Sequence, residues 1–393
     1  MRLYGKRTFE GFRMRIGIFG GSFDPIHNEH ISLAKQAITD LGLDKLFIVP
    51  AANPPHKPWR VLTLDEHRLQ LCRLAFDGEE KIEVSDYEIL AGGTSYTYLT
   101  LRHFRELYPE AEFYLLVGTD MLRNFPLWKY PEEILENCTL AVCARAEEAG
   151  WASREQTEFF NRFGRNFVVL SYEGKDVSST KIRVLAGAGL EITPYTDENC
   201  AAYIEKNGLY KVKGGAKALS LQKPTRQAHT LRVALLAAER AAGLPISERK
   251  AVQACLLHDC AKNLRLDDPL LKGFVAPEDC PPAVVHQYAG EYVARTVFGV
   301  DDEEVLSAVA CHTSGKENMS LLDKLVFLSD LVEEERSYSG VENLRRLFWE
   351  DIDRCLLQAL EDTVEYLERS GQPVYERTIA ALRYHRIQCN KEK

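Results

Sequence analysis

The first half of the chain alternates short, wholly apolar runs with stretches whose apolar residues recur every three or four positions. Residues 15–20, Arg-Ile-Gly-Ile-Phe-Gly, form such a run, closed by a second glycine. A strand buried on both faces reads this way. Further strands are predicted at 45–50, where a proline ends the run, and at 82–84, 113–118, 139–143 and 167–170. Helical periodicity falls between them, near 28–40, 64–76 and 97–107. Strands alternating with helices imply right-handed crossovers and an α/β fold, a doubly wound parallel sheet. After residue 213 the period changes. Residues 214–224 are small and polar and read as a linker. Beyond them helical spacing dominates: Leu231, Leu235 and Ala238 share one face, and Leu321, Leu325 and Leu328 another. The expected division is therefore an α/β domain at 1–213, a linker at 214–224, and an all-α helical bundle at 225–393. Met14 leads straight into the first strand, whereas residues 1–13 carry no periodic pattern, so translation is expected to begin at Met14.

Composition narrows the class. The 393 residues are 45% hydrophobic and 27% charged, as in a soluble globular protein. No apolar run approaches the roughly 18 residues that cross a bilayer, and no apolar signal segment precedes the first strand. The ten cysteines are scattered without a C-x-x-C pair, several inside apolar stretches. Buried thiols in a reducing cytoplasm are expected, with no membrane partner. The net charge of −9 argues against a nucleic-acid partner but leaves room for phosphate ligands, which need only local positive charge.

Candidate chemistry begins at residues 20–30, Gly-Gly-Ser-Phe-Asp-Pro-Ile-His-Asn-Glu-His. The segment follows a strand and opens a helix. Gly20, Gly21, Ser22 and Phe23 supply a turn of backbone N–H groups, and His27 and His30 flank the helix start, so a phosphate could sit there. Alone, such a junction fits a structural histidine pair equally well. A second cluster, residues 177–183, Val-Ser-Ser-Thr-Lys-Ile-Arg, places Ser179 and Thr180 at another helix start, followed by Lys181 and Arg183. Its bland reading is a serine cap with a solvated basic face.

Together these residues resemble the nucleotidyltransferase superfamily, with its Rossmann-like sheet, and more narrowly nicotinate-nucleotide adenylyltransferase. The resemblance runs through most of residues 15–213, including Asn-Pro-Pro-His-Lys at 53–57, Ser-Tyr-Thr at 95–97, Gly-Thr-Asp-Met at 118–121, and Trp128. It implies transfer of AMP from ATP to nicotinate mononucleotide, with Mg²⁺ on the triphosphate and no protein nucleophile. It also implies that His27 and His30 hold the reacting phosphates, that Ser179, Thr180 and Arg183 hold the triphosphate, and that Lys57 neutralises charge. Thr97, Gly118 and Asp120 would complete the substrate site, and Trp128 would stack on the pyridine ring, although core packing explains a tryptophan there too. Glu29 stands where that family usually has glycine, which sets a carboxylate beside the nucleotide pocket. Leu99 stands where it usually has aspartate.

In the helical half, His229, His258, His286 and His312 fall on successive apolar helix faces, with Asp259 and Asp330. One such histidine is usually a satisfied core residue. Four with two carboxylates are harder to explain without cations, because burying the carboxylates costs several kcal/mol each. The order resembles the HD phosphohydrolase superfamily, and residues 225–345 resemble the HD hydrolases that split diadenosine tetraphosphate symmetrically to two ADP. The resemblance implies a two-metal centre on these six residues, and ligation by imidazoles and carboxylates suits divalent Fe, Mn, Co, Ni or Zn. Lys262 could meet substrate phosphates, and a solvated lysine explains it equally well. His385 lies in what reads as a polar tail. Three functional readings follow. The first is a bifunctional enzyme. The second is an adenylyltransferase with a regulatory or different-substrate HD domain. The third is a non-enzymatic nucleotide sensor. Self-association into a homo-oligomer is compatible with each.

Overall fold

The computed structural model describes residues 13–55, 61–144, 151–174 and 177–391. The expected start at Met14 turns on residues 1–12, which lie outside that set. Six strands form where the apolar runs lie: β1 (Arg15–Gly21), β2 (Lys45–Pro50), β3 (Ile82–Val84), β4 (Glu112–Gly118), β5 (Thr139–Ala144) and β6 (Val168–Glu173). All pair in parallel in the order β3-β2-β1-β4-β5-β6. The doubly wound parallel sheet predicted from the alternation is the fold observed. Ile16 and Ile18 are fully buried, as a central strand covered on both faces requires. Gly17 lets the neighbouring chain come close, since a Cβ there would stand 2.6 Å from methyl carbons of Leu43 and Leu46.

Strand order reverses at β1, with β2 and β3 on one side and β4, β5 and β6 on the other. Right-handed crossovers from β1 and β4 therefore leave towards opposite faces, and a crevice opens at the carboxyl ends of these two strands. Gly20, Gly21 and Gly118 stand at those ends.

The turn after β1 is held from below. Arg68, on the helix Asp65–Ala75, has no exposed surface. Its Nη1 donates to the Ser22 carbonyl at 2.7 Å, its Nε to the Thr63 carbonyl at 3.0 Å, and its Nη2 pairs with Asp65. The Thr63 N–H donates to the Asp24 carboxylate at 3.4 Å. One arginine thus fastens the glycine turn to the segment that precedes the next helix.

The contacts divide the chain into two compact units. The first runs to Ser179 and takes in Thr193–Tyr203; the second takes Thr180–Ile192 and everything from Ile204 onward. The boundary thus differs from the expected one at 213. Residues 214–224, expected as a linker, instead carry the helix Gly215–Ser220 and the start of the helix Pro224–Ala241. Ala218 is fully buried and Leu219 nearly so. A Cβ at Gly215 would collide with the Gly187 carbonyl, so the small residues there serve close packing rather than flexibility.

The described residues of the second unit are helical throughout, as their periodicity predicts. One core joins Val184 and Ala188 through Val212 and Leu219 to Val233, Leu256, Val309, Leu328 and Phe348. On Pro224–Ala241 the buried face is His229, Thr230, Val233, Ala234, Ala237 and Ala238. Leu231 and Leu235 pack only in part against the same core.

Arg68→Met should destabilise the first unit by about 2–4 kcal/mol, because two part-buried carbonyls lose their donor at roughly 1–2 kcal/mol each. Chemical unfolding followed by tryptophan fluorescence measures it. A loss below about 1 kcal/mol would show that water or another donor replaces the guanidinium.

Candidate functional site

His27 caps the helix Asn28–Leu41 in an extended conformation and is almost fully buried. Its backbone N–H donates to His30 Nδ1 at 3.3 Å. Nδ1 is therefore the acceptor, and the proton of a neutral His30 sits on Nε2, ready to be donated. The two rings stack with centroids 3.6 Å apart and an interplanar angle of 23°. Phe23, buried and at a φ of 45°, sets its ring edge-on to His30 at 5.1 Å. Both imidazoles therefore stand rigidly at a helix N-terminus, where the dipole favours an anion.

Glu29 is committed elsewhere. Tyr172 on β6 donates its hydroxyl to Glu29 Oε2 at 2.5 Å. Burial, and next the Glu29 carboxylate itself, push the Tyr172 hydroxyl up from its ordinary value. The carboxylate that sequence alone sets beside the nucleotide pocket is thus bonded to the sheet. Leu99 is partly exposed on the helix Thr97–Leu107.

A cavity of about 570 Å³ opens beside the glycine turn. Gly20, Gly21, Ser22, Thr97 and Trp128 all line it, joined by Pro54 and Pro55 of the Asn-Pro-Pro stretch and by Ser95, Tyr96 and Met121. Trp128 is half-buried against Phe125, with ring centroids 5.3 Å apart. Phe23, His27, His30, Gly118 and Asp120 do not line the cavity. Lys57 lies outside the described residues. Sequence reasoning passed over Glu88, a half-buried cavity residue that accepts from the Thr100 hydroxyl at 2.5 Å and whose carboxyl is pushed up by partial burial. It lies seven residues before the Ser-Tyr-Thr segment, in no motif of its own.

The second anion cluster divides between the units. Ser179 belongs to the first, where its hydroxyl donates to the Pro25 carbonyl at 2.8 Å. Thr180 and Arg183 belong to the second. Arg183 donates to the Thr180 hydroxyl at 2.9 Å and to Glu248 Oε1 at 2.6 Å, and the pair is largely buried. Glu248 opens the helix Glu248–Leu257, whose far end leads directly to His258 and Asp259.

All six expected metal ligands converge. His229 lies on Pro224–Ala241, His258 and Asp259 follow Glu248–Leu257, and His286 lies on Val285–Thr296. His312 follows Glu303–Cys311, and Asp330 lies on Leu321–Val332. Two ligand triads share His258: one with His229 and Asp330, the other with Asp259 and His312. His286 Nε2 stands 3.3 Å from Asp259 Oδ1 and 3.1 Å from His312 Nε2. His258 donates Nδ1–H to the Cys255 carbonyl at 2.6 Å, and His312 likewise to the Val309 carbonyl at 2.8 Å. Those bonds leave each Nε2 as a lone pair aimed at the centre. Burial holds His258 and His286 down to about 4, so both are neutral at pH 7.

His258 Nε2 is fully buried with no hydrogen-bond partner, and Asp259 Oδ1 has only ring nitrogens near it. Orphaned donors and acceptors of this kind fit a pair of divalent cations, and their N/O character suits a transition metal.

Glu333, one turn after Asp330, takes the other side of His229, with Oε1 3.1 Å from Nδ1, and is itself held by Arg232. A carboxylate three residues past a ligand on the same helix is the signal for this role. Arg226 pairs with Asp259 at 3.0 Å, Lys262 Nζ stands 2.9 Å from His286 Nε2, and Arg336 pairs with Asp330 at 2.5 Å. His385 is not in a polar tail. It is buried on the helix Glu376–Lys391, 3.3 Å from the Lys316 carbonyl, as a packed core histidine.

Comparison with known proteins also finds two parts, with bounds of their own. Residues 18–185 match the cytidylyltransferase-like family and residues 226–335 the HD domain. The chain is 36% identical over 196 residues to a probable nicotinate-nucleotide adenylyltransferase of Clostridium botulinum, covering 49% of this chain and 98% of the relative. It is 38% identical to the corresponding protein of Clostridium novyi, covering 50% and 98%. Among solved structures, a predicted HD superfamily hydrolase involved in NAD metabolism from Clostridium acetobutylicum is 31% identical, covering 44% of this chain and 97% of its own, with a TM-score of 0.42.

Asp259→Asn removes a negative charge that the ligand set surrounds. Bound metal per chain should fall clearly below wild type, with chelator-treated protein as the zero. Elemental analysis of protein reloaded with Mn or Fe checks this. Full metal content would mean that Asp259 is not a ligand.

Proposed function

The N-terminal part of this chain belongs to the nicotinate-nucleotide adenylyltransferase family and is followed by an HD domain, and we propose that the chain is a bifunctional enzyme of nucleotide metabolism. The first unit joins AMP from ATP to nicotinate mononucleotide, giving nicotinate adenine dinucleotide and pyrophosphate. The observation that carries this reading is the stacked His27–His30 pair at a helix start, beside a cavity that holds the glycine turn and Trp128. The mononucleotide phosphate attacks the α-phosphate of ATP in line. No protein nucleophile is required, and the chain's part is positioning and charge stabilisation. His30 donates Nε2–H to the reacting phosphates, and His27 stands behind it. Trp128 supports the pyridine ring by stacking. Lys57 and Ser179 would meet the triphosphate, whose charge Mg²⁺ shares. Gly118, Asp120 and Thr97 complete the substrate site.

The HD unit, in this reading, hydrolyses diadenosine tetraphosphate symmetrically to two ADP. His229, His258, Asp259, His286, His312 and Asp330 would hold two divalent metals, which activate water and polarise the phosphate. Asp259 lies among His258, His286 and His312 and would help hold the metals. Arg226, Lys262 and Arg336 add three cations around the ligands, which suits a highly charged polyphosphate.

Product analysis tests both halves on the intact protein. With nicotinate mononucleotide and ATP, the dinucleotide and pyrophosphate should appear. With diadenosine tetraphosphate and Mn, only ADP should appear; ATP with AMP would rule out symmetrical cleavage. His30→Ala should lower adenylyl transfer by about 10²-fold, the scale of losing one preorganised donor, while hydrolysis is unchanged. Equal loss of both activities in folded protein would contradict separate sites.

A further inference from the structure

Two segments that line the cavity of the first unit meet at one hydroxyl. The first leaves β2 and runs from Ala51 to Pro55; the second, Ser95 to Thr97, leads into the helix Thr97–Leu107. Ser95 Oγ accepts the backbone N–H of Ala52 at 2.9 Å and that of Asn53 at 3.2 Å. The Ser95 N–H donates in return to the Asn53 carbonyl at 3.0 Å. A serine hydroxyl has two lone pairs and one proton. Both lone pairs are taken, so the proton is left to donate, and the acceptor it meets is the Glu88 carboxylate. Glu88 Oε1 also accepts the Thr100 hydroxyl at 2.5 Å. Thr100 is buried in the first turn of the helix that Ser95 precedes.

Glu88, Ser95 and Thr100 all line the cavity. Burial pushes the Glu88 carboxyl up, and the hydroxyls of Thr100 and Ser95 and the charge of Arg68 oppose that push. Arg68 is the residue that fastens the glycine turn through the Ser22 carbonyl. The glycine turn, the Asn-Pro-Pro segment and the Ser-Tyr-Thr segment thus meet in one polar network, with Glu88 as its anion. A carboxylate accepts two hydroxyl protons at once, and its charge strengthens both bonds. An amide in its place accepts through one oxygen and turns a donor towards the second hydroxyl.

We propose that Glu88 is a positioning residue for adenylyl transfer: by holding the hydroxyls of Ser95 and Thr100, it locks residues 52–55 against residues 95–97 and fixes the cavity in the shape that takes the mononucleotide. The inference rests on the adenylyltransferase reading above. Glu88 acts through Ser95 and touches no reacting atom. Its loss therefore weakens binding of the mononucleotide, while the chemical step keeps nearly its own rate.

The test is steady-state adenylyl transfer by the intact protein, with nicotinate mononucleotide varied at saturating ATP and thermal unfolding measured in parallel. Glu88→Gln should raise KM for the mononucleotide about tenfold, the scale of one lost hydrogen bond to a charged group, with kcat within about twofold of wild type. Ser95→Ala should do the same. The double variant should match the more impaired single variant, because both changes break one interaction. Thr100→Val should raise KM, and Thr100→Ser, which keeps the hydroxyl, should bring it back to near wild type. A residue that only supports the fold would lower the unfolding temperature and leave KM unmoved, and that outcome overturns the inference. So does a fall in kcat with KM unchanged. A double variant whose effects multiply also overturns it, because Glu88 would then act without Ser95. Wild-type protein that turns over no mononucleotide overturns the adenylyltransferase reading and this inference with it.

Discussion

A carboxylate that is 2% exposed must find compensation where it stands, and Asp259 sets that condition for the whole second unit. Its carboxyl is held far below the ordinary range: burial works against ionisation, and His258 and the neighbouring imidazoles outweigh it. To bring those groups to one point, five helical segments converge. Two helices end at their ligand, so that His258 and His312 can each turn Nδ1 back to a carbonyl of the last turn. The apolar core of Val233, Leu256, Val309 and Leu328 surrounds this centre and fixes the segments that bear it. Packing and polar chemistry are here one arrangement: the core excludes water, and the exclusion makes the ligand set necessary.

The first unit solves a different problem. Its ligands are transient anions, so it offers N–H groups, imidazoles and a cavity rather than a buried charge cluster. The reversal of strand order at β1 places the glycine turn at the mouth of a crevice, and Arg68 fixes that turn from beneath. A parallel sheet has rigid strand ends, and the loops between them can be specialised without disturbing it.

Much of this was legible in the residues. Continuous apolar runs marked every strand but β3, because the doubly covered part of the sheet has no polar face to interrupt them, whereas β3 is an edge strand that reads Ile-Glu-Val. The gathering of four histidines and two aspartates in the HD unit was legible because His and Asp on apolar faces are conspicuous. Second partners were harder to see. Glu29 reads as a threat to nucleotide binding until Tyr172, 143 residues away, is placed against it. Glu248 reads as an ordinary acidic first turn until Arg183 meets it. The segment 214–224 was misread for a physical reason: small residues mark both flexible linkers and tight helix contacts, and composition alone does not distinguish them. His385 has the same lesson, since its polar neighbours are the outer face of a packed helix.

The helix that begins at Ser179 has its own bearing on how this chain came together. Val184 and Ala188 share a core with the HD helices, and Arg183 is tied to Glu248. A cut at residue 213 would strip that helix of its apolar neighbours and leave a largely buried guanidinium without its carboxylate. Thr180–Ile192 therefore packs as part of the second unit, and that packing draws on residues from both sides of position 213.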